Sequence, residues 1–332
     1  MTRPTKATAG KRGRDKVLAF LRAAQNGNTR RSYESGMRQF ALWATTVWNP
    51  AHPAEAVNAA RPEEYHVAAH MQYMLGQGRA MSTVNTRVNA IADALRFDTT
   101  ADYHPCSGAL ITQMRAVLVP MTKPKTQKRE ISRVLLHTIV TAALAVNDAT
   151  SRRDACTLTL AFTTFLRASE VVRMNRGDVT FTTERIGAAD VTVMRVHVDR
   201  MCKNDKQRVG HERLVRETST VYDAARMMRA YLASTSGKAT APLFTTRDDR
   251  RMALGTPRGR LAHWLKCVGA TDPAAYGFHS MRAGGATHAA RAGVAVRHIK
   301  ELGNWKSDAV NAYVRLNVTD RLRASNALSR HA

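Results

Sequence analysis

The sequence predicts a mainly α-helical chain of two domains, with a small β-hairpin in the second. Apolar residues recur at spacings of three and four over long stretches of the 332 residues, which is the period of an amphipathic helix. Alternation of apolar and polar residues, which is typical of a strand, is found between residues 192 and 215. The length corresponds to about two domains and is ample for a buried core.

The first domain, residues 15–119, is predicted to be helical and follows a basic, flexible arm at residues 1–14. Four helices are expected: one from near Thr29, one through residues 67–75, one through 84–95 with Ser82 as its N-cap, and one from Gly108 to Leu118. This composition and period fit a DNA-binding module and a plain helix bundle equally well.

A linker is predicted at residues 120–130, which contain two prolines and several basic residues. The second domain, residues 131–332, opens with expected helices from Ser132 to Val146 and from Arg153 to Arg173. A strand through Thr192–Val198 and a weaker return strand through Val209–Val215 form the hairpin, and helices resume from Thr220.

The charge of the chain predicts a polyanionic partner. There are 51 Lys and Arg against 26 Asp and Glu, a formal net charge of +25. Double-stranded DNA is the first candidate and an anionic membrane the second. No run of 18 apolar residues predicts a transmembrane helix, and the N-terminus lacks the apolar core of a signal peptide. We therefore expect no membrane partner and no secretion.

The sequence lacks the usual signatures of metal and nucleotide sites. Its four cysteines form no C-x-x-C pair, which argues against a zinc ribbon or a disulfide framework and favours a reducing compartment. There is no H-E-x-x-H, no cluster of acidic residues and no phosphate-binding glycine loop. Neither a metal nor another cofactor is expected, so any phosphodiester chemistry must come from side chains.

Three blocks carry candidate chemistry. In Phe278-His-Ser-Met-Arg282, His279 and Arg282 share a helix face and can meet one phosphate. In Leu166-Arg-Ala-Ser-Glu170, Arg167 lies within an apolar helical stretch, so it requires an anion, either Glu170 or a ligand phosphate. The third block runs from Leu302 to Arg315 and contains Trp305 and Tyr313.

Taken together, L-R-x-S-E, H-S-x-R and G-x-W-K-S-x-A-x-x-x-Y-x-R in this order resemble the tyrosine recombinase, or phage integrase, family. The resemblance covers most of the chain and implies a helical core-binding domain followed by a catalytic domain of the DNA breaking-rejoining fold. It implies that Arg167 and Arg282 grip the phosphate, that His279 is the histidine of H-x-x-R, and that Tyr313 is the nucleophile. Glu170 is a supporting residue.

Two family positions stay open. The lysine of the β-hairpin matches Lys203, with Lys206 as the competing choice. The His/Trp position usually lies nine residues before the nucleophile, which is Asn304 here, whereas Trp305 lies eight before Tyr313. The G-x-W-K-S-x-A form is similar to recombinases of Crypton and DIRS mobile elements, in which eight is common, and this favours Trp305. His288 and His298 are expected to be ordinary surface histidines.

The resemblance implies a site-specific recombinase that clamps duplex DNA, works as a homotetramer on paired sites and forms a 3′-phosphotyrosine. A tyrosine has a pKa near 10, and positive neighbours favour its phenolate. The alternatives are a type IB topoisomerase, which relaxes DNA as a monomer, and a domesticated DNA-binding factor without activity. The expected location is the nucleus in a eukaryote and otherwise the cytoplasm, at the nucleoid.

Overall fold

The computed structural model describes residues 16, 19–20, 27–96, 104–121, 127–198, 210–220 and 222–314. The chain divides into two compact units, Met1–Thr126 and Gln127–Ala332, and each has its own hydrophobic core. The division falls within the segment 120–130. The preceding helix runs on through Pro120 to Met121, beyond the expected end at Leu118.

The first unit is helical, as predicted. Phe40, Met71 and Ile91 come from three different helices and are fully buried against one another in its core. The helices are α1 (Gly27–Trp43), α2 (Glu64–Gly76), α3 (Met81–Leu95) and α4 (Ala109–Met121), with a π-helical segment Ala44–Trp48, a short α-helical turn Asn49–Ala51 and a 3₁₀ turn Pro53–Glu55 after α1.

The predicted N-cap of α3 is wrong. The helix begins at Met81 and its N-cap is Ala80, whose carbonyl accepts the N–H of Val84. Ser82 therefore lies inside the first turn, where its carbonyl accepts a bond from the Thr86 hydroxyl at 2.8 Å. Because Ser82 already lies inside the helix, its side chain is not in the extended N-cap position from which it would accept an N–H of the first turn.

The second unit is also mainly helical. The first two helices are capped by side chains, since Ser132 accepts the N–H of Leu135 at 3.1 Å and Asp148 accepts that of Ser151 at 2.6 Å. The helices are α5 (Arg133–Val146), α6 (Ala149–Thr163), α7 (Ala168–Arg173), α8 (Ala224–Ala233), α9 (Thr256–Cys267), α10 (His279–Arg291) and α11 (Val296–Gly303), with 3₁₀ turns at Arg176–Asp178, Pro273–Ala275 and Asp308–Ala312.

The single helix expected from Arg153 to Arg173 is instead two helices, and this correction matters for the site. Helix α6 ends at Thr163, and α7 begins at Ala168. Between them Phe165 has a left-handed backbone, with φ of +53°. Arg167 is therefore not inside a helix; it is the extended N-cap residue of α7.

The sheet contains one strand more than the hairpin predicted. Strands β1 (Val179–Ile186), β2 (Ala189–Val198) and β3 (His211–Arg216) are antiparallel in the order β1-β2-β3. The predicted hairpin corresponds to β2 and β3. Strand β1 was not predicted because apolar and polar residues alternate in it only from Val179 to Phe181; of its residues, only Val179 is buried. Lys203 and Lys206 fall in the connection from β2 to β3, outside the described residues.

Helix α10 crosses the end of α6 at very short range. A Cβ atom on Gly284 would overlap the carbonyl oxygen of Ile131, and one on Gly285 would overlap that of Phe162. Gly285 therefore lets α10 lie against the end of α6, which leads to Arg167, and Gly284 lets it lie against the chain that precedes α5. Within the described part of the chain, no helix has both the length and the apolar character to cross a membrane.

Candidate active site

Arg282 is the buried centre of the candidate site. Its residue area is 0% exposed, and it extends from the first turn of α10. Its Nη1 donates to the carbonyl oxygen of Phe165, and its Nη2 donates to that of Gly303 at 2.5 Å. Burial, together with the positive charge of Arg167, lowers the pKa of Arg282. Its two carbonyl bonds hold the guanidinium between the turn that joins α6 to α7 and the end of α11.

Trp305 covers one side of this guanidinium. The Cζ of Arg282 lies 3.8 Å from the centre of the indole ring, at cation–π distance. Asn304 ends α11 in a left-handed conformation, with φ of +51°, and thereby turns the chain so that Trp305 packs inward. A Cβ on Gly303 would overlap the indole, so this position requires glycine. The structure places Trp305 in contact with Arg282.

Tyr313 lies beside both Trp305 and Arg282. Their ring centres are 5.1 Å apart, and the Tyr313 ring centre is 5.4 Å from the Cζ of Arg282. Tyr313 follows the 3₁₀ turn Asp308–Ala312, and its carbonyl accepts a bond from the Thr287 hydroxyl of α10 at 3.2 Å. The half-buried tyrosine is thus held beside the arginine by its own backbone.

Arg167 and Glu170 form a reciprocal pair at the start of α7. Arg167 Nη1 donates to Glu170 Oε1 at 2.6 Å, and the Arg167 backbone N–H donates to Glu170 Oε2 at 2.8 Å. Burial alone would raise the pKa of Glu170, but Arg213 and Arg167 outweigh it, so the pKa lies below its ordinary value. Glu170 is therefore a carboxylate that orients Arg167 from two directions.

His279 begins α10 and interacts with both arginines. Partial burial of its ring, and then the positive charges of Arg167 and Arg282, lower its pKa from the ordinary value. The imidazole is therefore neutral at pH 7 and can accept a proton. Part of the residue reaches solvent.

The structure thus brings together six predicted residues: Arg167, Glu170, His279, Arg282, Trp305 and Tyr313. The two candidate lysines, Lys203 and Lys206, lie outside the described residues. His288 belongs to a different contact, with Arg133 at 3.4 Å, and His298 is exposed.

Sequence reasoning missed Arg213, which is 1% exposed and reaches Glu170 Oε2 at 3.5 Å. The alternation of the strand could have indicated it, because His211, Arg213 and Val215 occupy the inward positions of β3. An arginine at an inward position needs an anionic partner.

Two buried N–H groups at the centre of the site have no acceptor among the residues that the structure describes. In the described part of the protein, neither Arg282 Nε nor Trp305 Nε1 has a hydrogen-bond partner. Buried donors of this kind are costly, which marks them as groups that a bound acceptor would satisfy. Among the described residues, no three His, Cys, Asp or Glu side chains lie close enough to hold a metal ion.

Comparison with known proteins identifies the family of the second unit. Residues 131–319 match the phage integrase family. A comparison with curated protein sequences found no match.

Three solved structures share the fold of the chain. The integrase of transposon Tn1549 in complex with transposon right end DNA has a TM-score of 0.64 at 13% identity, over 95% of this chain and 98% of that one. XerH recombinase bound to a palindromic difH substrate gives 0.63 at 11%, over 90% and 80%. A lambda integrase dimer bound to a COC′ core site gives 0.55 at 16%, over 94% and 77%. At these identities the likeness shows a shared fold.

Proposed function

The chain belongs to the phage integrase family of tyrosine recombinases, and on this premise we propose that it cleaves and rejoins duplex DNA through a 3′-phosphotyrosine at Tyr313. The observation that carries the proposal is the buried guanidinium of Arg282, which lies against the Trp305 ring and 5.4 Å from the centre of the Tyr313 ring, with its Nε unpartnered among the described residues. A DNA phosphate beside Tyr313 is the anion that suits these donors.

The arrangement suits stabilisation of negative charge. Arg282 is held by two carbonyl bonds, so its Nε and the Nε1 of Trp305 are oriented before DNA binds and need no reorganisation during the reaction. Arg167, oriented by Glu170, adds a second positive charge that forked hydrogen bonds can direct at phosphate oxygens. Such donors stabilise the extra charge of a pentavalent phosphorane.

In the proposed cleavage step, the hydroxyl oxygen of Tyr313 forms a bond to phosphorus as the bond from phosphorus to the 5′ oxygen breaks. His279, neutral at pH 7, takes the proton of the tyrosine. The leaving 5′ oxygen takes a proton from the hairpin lysine, which we assign to Lys203. Rejoining reverses the two steps. No nucleotide cofactor is needed, because the phosphotyrosine retains the free energy of the broken linkage.

We further propose that residues 15–119 act as the core-binding domain and that the chain recombines paired sites as a homotetramer. The charge of +25 supports duplex DNA as the partner. A mobile-element origin, of the Crypton or DIRS type, is supported by the eight-residue spacing from Trp305 to Tyr313.

The test is covalent capture of DNA. The protein is incubated with nicked duplex oligonucleotides, including a randomised pool so that no site is assumed, and adducts that survive SDS are measured. We expect an adduct with wild type and with Tyr276→Phe, a tyrosine outside the site, and none with Tyr313→Phe. An adduct that persists in Tyr313→Phe, or its absence from wild type on every substrate, would refute the proposal. Relaxation of plasmids without joint molecules would assign a topoisomerase instead.

A further inference from the structure

Arg213 is among the largest fully buried side chains of the described protein, at 1% exposure. A guanidinium in this position is unfavourable unless its charge and its N–H groups are satisfied. The groups that satisfy it therefore indicate its role. One Nη donates to the carbonyl oxygen of Thr164, and the other lies 3.5 Å from Glu170 Oε2.

Both partners belong to the segment that presents Arg167. Thr164 opens the turn between α6 and α7, and Glu170 lies in α7, so Arg213 contacts this segment on either side of Arg167. The next carbonyl in the turn, that of Phe165, is held by Arg282. Two buried guanidinium groups, one from β3 and one from α10, thus bind successive carbonyls of one turn.

This turn needs support because Phe165 adopts a left-handed backbone, with φ of +53°. A side chain with a Cβ is disfavoured there, and such a conformation persists only when its surroundings impose it. The carbonyl bonds from Arg213 and Arg282 supply part of that restraint. Without the bond from Arg213, the turn has less to hold Arg167 in its extended N-cap conformation.

Arg213 also fixes the carboxylate that Arg167 uses. Glu170 Oε2 accepts the backbone N–H of Arg167 and faces Arg213, while Glu170 Oε1 pairs with the Arg167 guanidinium at 2.6 Å. Arg213 and Arg167 are both causes of the lowered pKa of Glu170, so the carboxylate is shared between them. A displacement of Glu170 would therefore turn the Arg167 guanidinium.

We propose that Arg213 is a positioning residue for DNA cleavage: it holds the Thr164–Glu170 segment from strand β3 so that Arg167 meets the scissile phosphate. This inference rests on the proposed recombinase function. Because Arg213 is buried, it acts through Arg167 and not by touching DNA. Its two contacts point to different groups, which suits the planar fork of arginine and not the single ammonium of lysine.

The test compares wild type with Arg213→Lys in single-turnover cleavage at saturating DNA. We expect the cleavage rate to fall roughly 100-fold, the scale of a misplacement of about 1 Å in a catalytic group. DNA affinity should change by less than about threefold, because a buried side chain makes no phosphate contact. The matched control is Arg153→Lys. Arg153 is 6% exposed, pairs with Asp154 at 2.7 Å and donates to the Thr245 carbonyl, away from the site.

A second substrate separates positioning from folding. A methylphosphonate at the scissile position carries no charge, so a correctly placed Arg167 has less to stabilise there. We expect the deficit of Arg213→Lys, like that of Arg167→Lys, to shrink to within about threefold of wild type on this linkage. Arg153→Lys should show the same ratio to wild type on both linkages, since a loss of folded protein affects both equally.

Each outcome decides between the two proposals. If wild type forms no adduct on either linkage, the proposed function fails. If wild type cleaves and Arg213→Lys matches it, the positioning role alone is overturned. Equal deficits on both linkages also overturn it. If circular dichroism shows Arg213→Lys to be unfolded, the comparison passes to Arg213→Gln, whose uncharged amide NH2 can still donate to a carbonyl. If Arg213→Gln is unfolded as well, Arg213 is assigned to folding and the proposal is overturned.

Discussion

Trp305→Phe separates the two contributions that Trp305 makes to the site. The phenyl ring retains an aromatic surface against Arg282, which lies 3.8 Å from the indole centre, and against Tyr313 at 5.1 Å. What the substitution removes is the Nε1–H donor, which has no acceptor within the described residues, and part of the ring. The perturbation therefore tests whether that donor serves the reaction.

The expected magnitudes differ between folding and cleavage. In the free protein, removing an unsatisfied buried donor relieves a cost of about 1–3 kcal/mol, which offsets the packing lost with the smaller ring. We therefore expect the free energy of unfolding to stay within about 1 kcal/mol of wild type. In the transition state, losing one hydrogen bond to a charged phosphate costs about 1.5–3 kcal/mol, a fall of roughly 10- to 150-fold in cleavage rate.

The assay is single-turnover adduct formation on a nicked duplex, with thermal unfolding of the same samples. The control is Asn304→Gly, since glycine keeps the left-handed turn that Asn304 makes at φ of +51°. This control should cleave at close to the wild-type rate. The reasoning is refuted if Trp305→Phe cleaves as fast as wild type, or if Asn304→Gly loses as much as Trp305→Phe.

Two further predictions concern stability. Burial, and then the charge of Arg87, lower the pKa of His70 to about 4, so as the pH falls the unfolded chain binds a proton before the folded chain does. The free energy of unfolding should therefore fall by about 3 kcal/mol as the pH drops from about 6.5 to 4. Hydrogen exchange of α2 should show this fall in wild type and a smaller one in His70→Phe. The Cβ of Gly285→Ala would overlap the carbonyl of Phe162, so this variant should lower the free energy of unfolding by about 1–3 kcal/mol. Gly259 in α9 has open space around it, so Gly259→Ala should raise the free energy of unfolding by about 0.5–1 kcal/mol. Urea titrations measure both.

The helices and the order of the site residues could be predicted because they depend on local patterns. Apolar spacing in α1 to α3 reports the buried face of each helix directly, and the H-S-x-R spacing places His279 and Arg282 on adjoining positions of α10. In these segments the residues that determine the local structure are the same ones that pack in the core or form the site, so the sequence is sufficient to predict them.

The turn that presents Arg167 could not be predicted from the same patterns. Phe162, Phe165 and Leu166 recur at helical spacing, so the period indicates an unbroken helix. Arg213 and Arg282 instead bind carbonyls of the turn and hold Phe165 in a left-handed conformation. Those partners are distant in sequence from the turn. Strand β1 escaped prediction for a different reason, because pairing with β2 and not an apolar pattern defines it.

Mass spectrometry of the trapped adduct identifies the residue that carries the DNA, which we expect to be Tyr313. Digestion of the trapped complex with nuclease and trypsin releases the peptide Ser307–Arg315, in which Tyr313 is the one tyrosine. We expect a nucleotide joined to Tyr313 through its 3′ phosphate, with a free 5′ hydroxyl on the other DNA fragment. A nucleotide on any other residue, or one joined through a 5′ phosphate, would contradict this expectation.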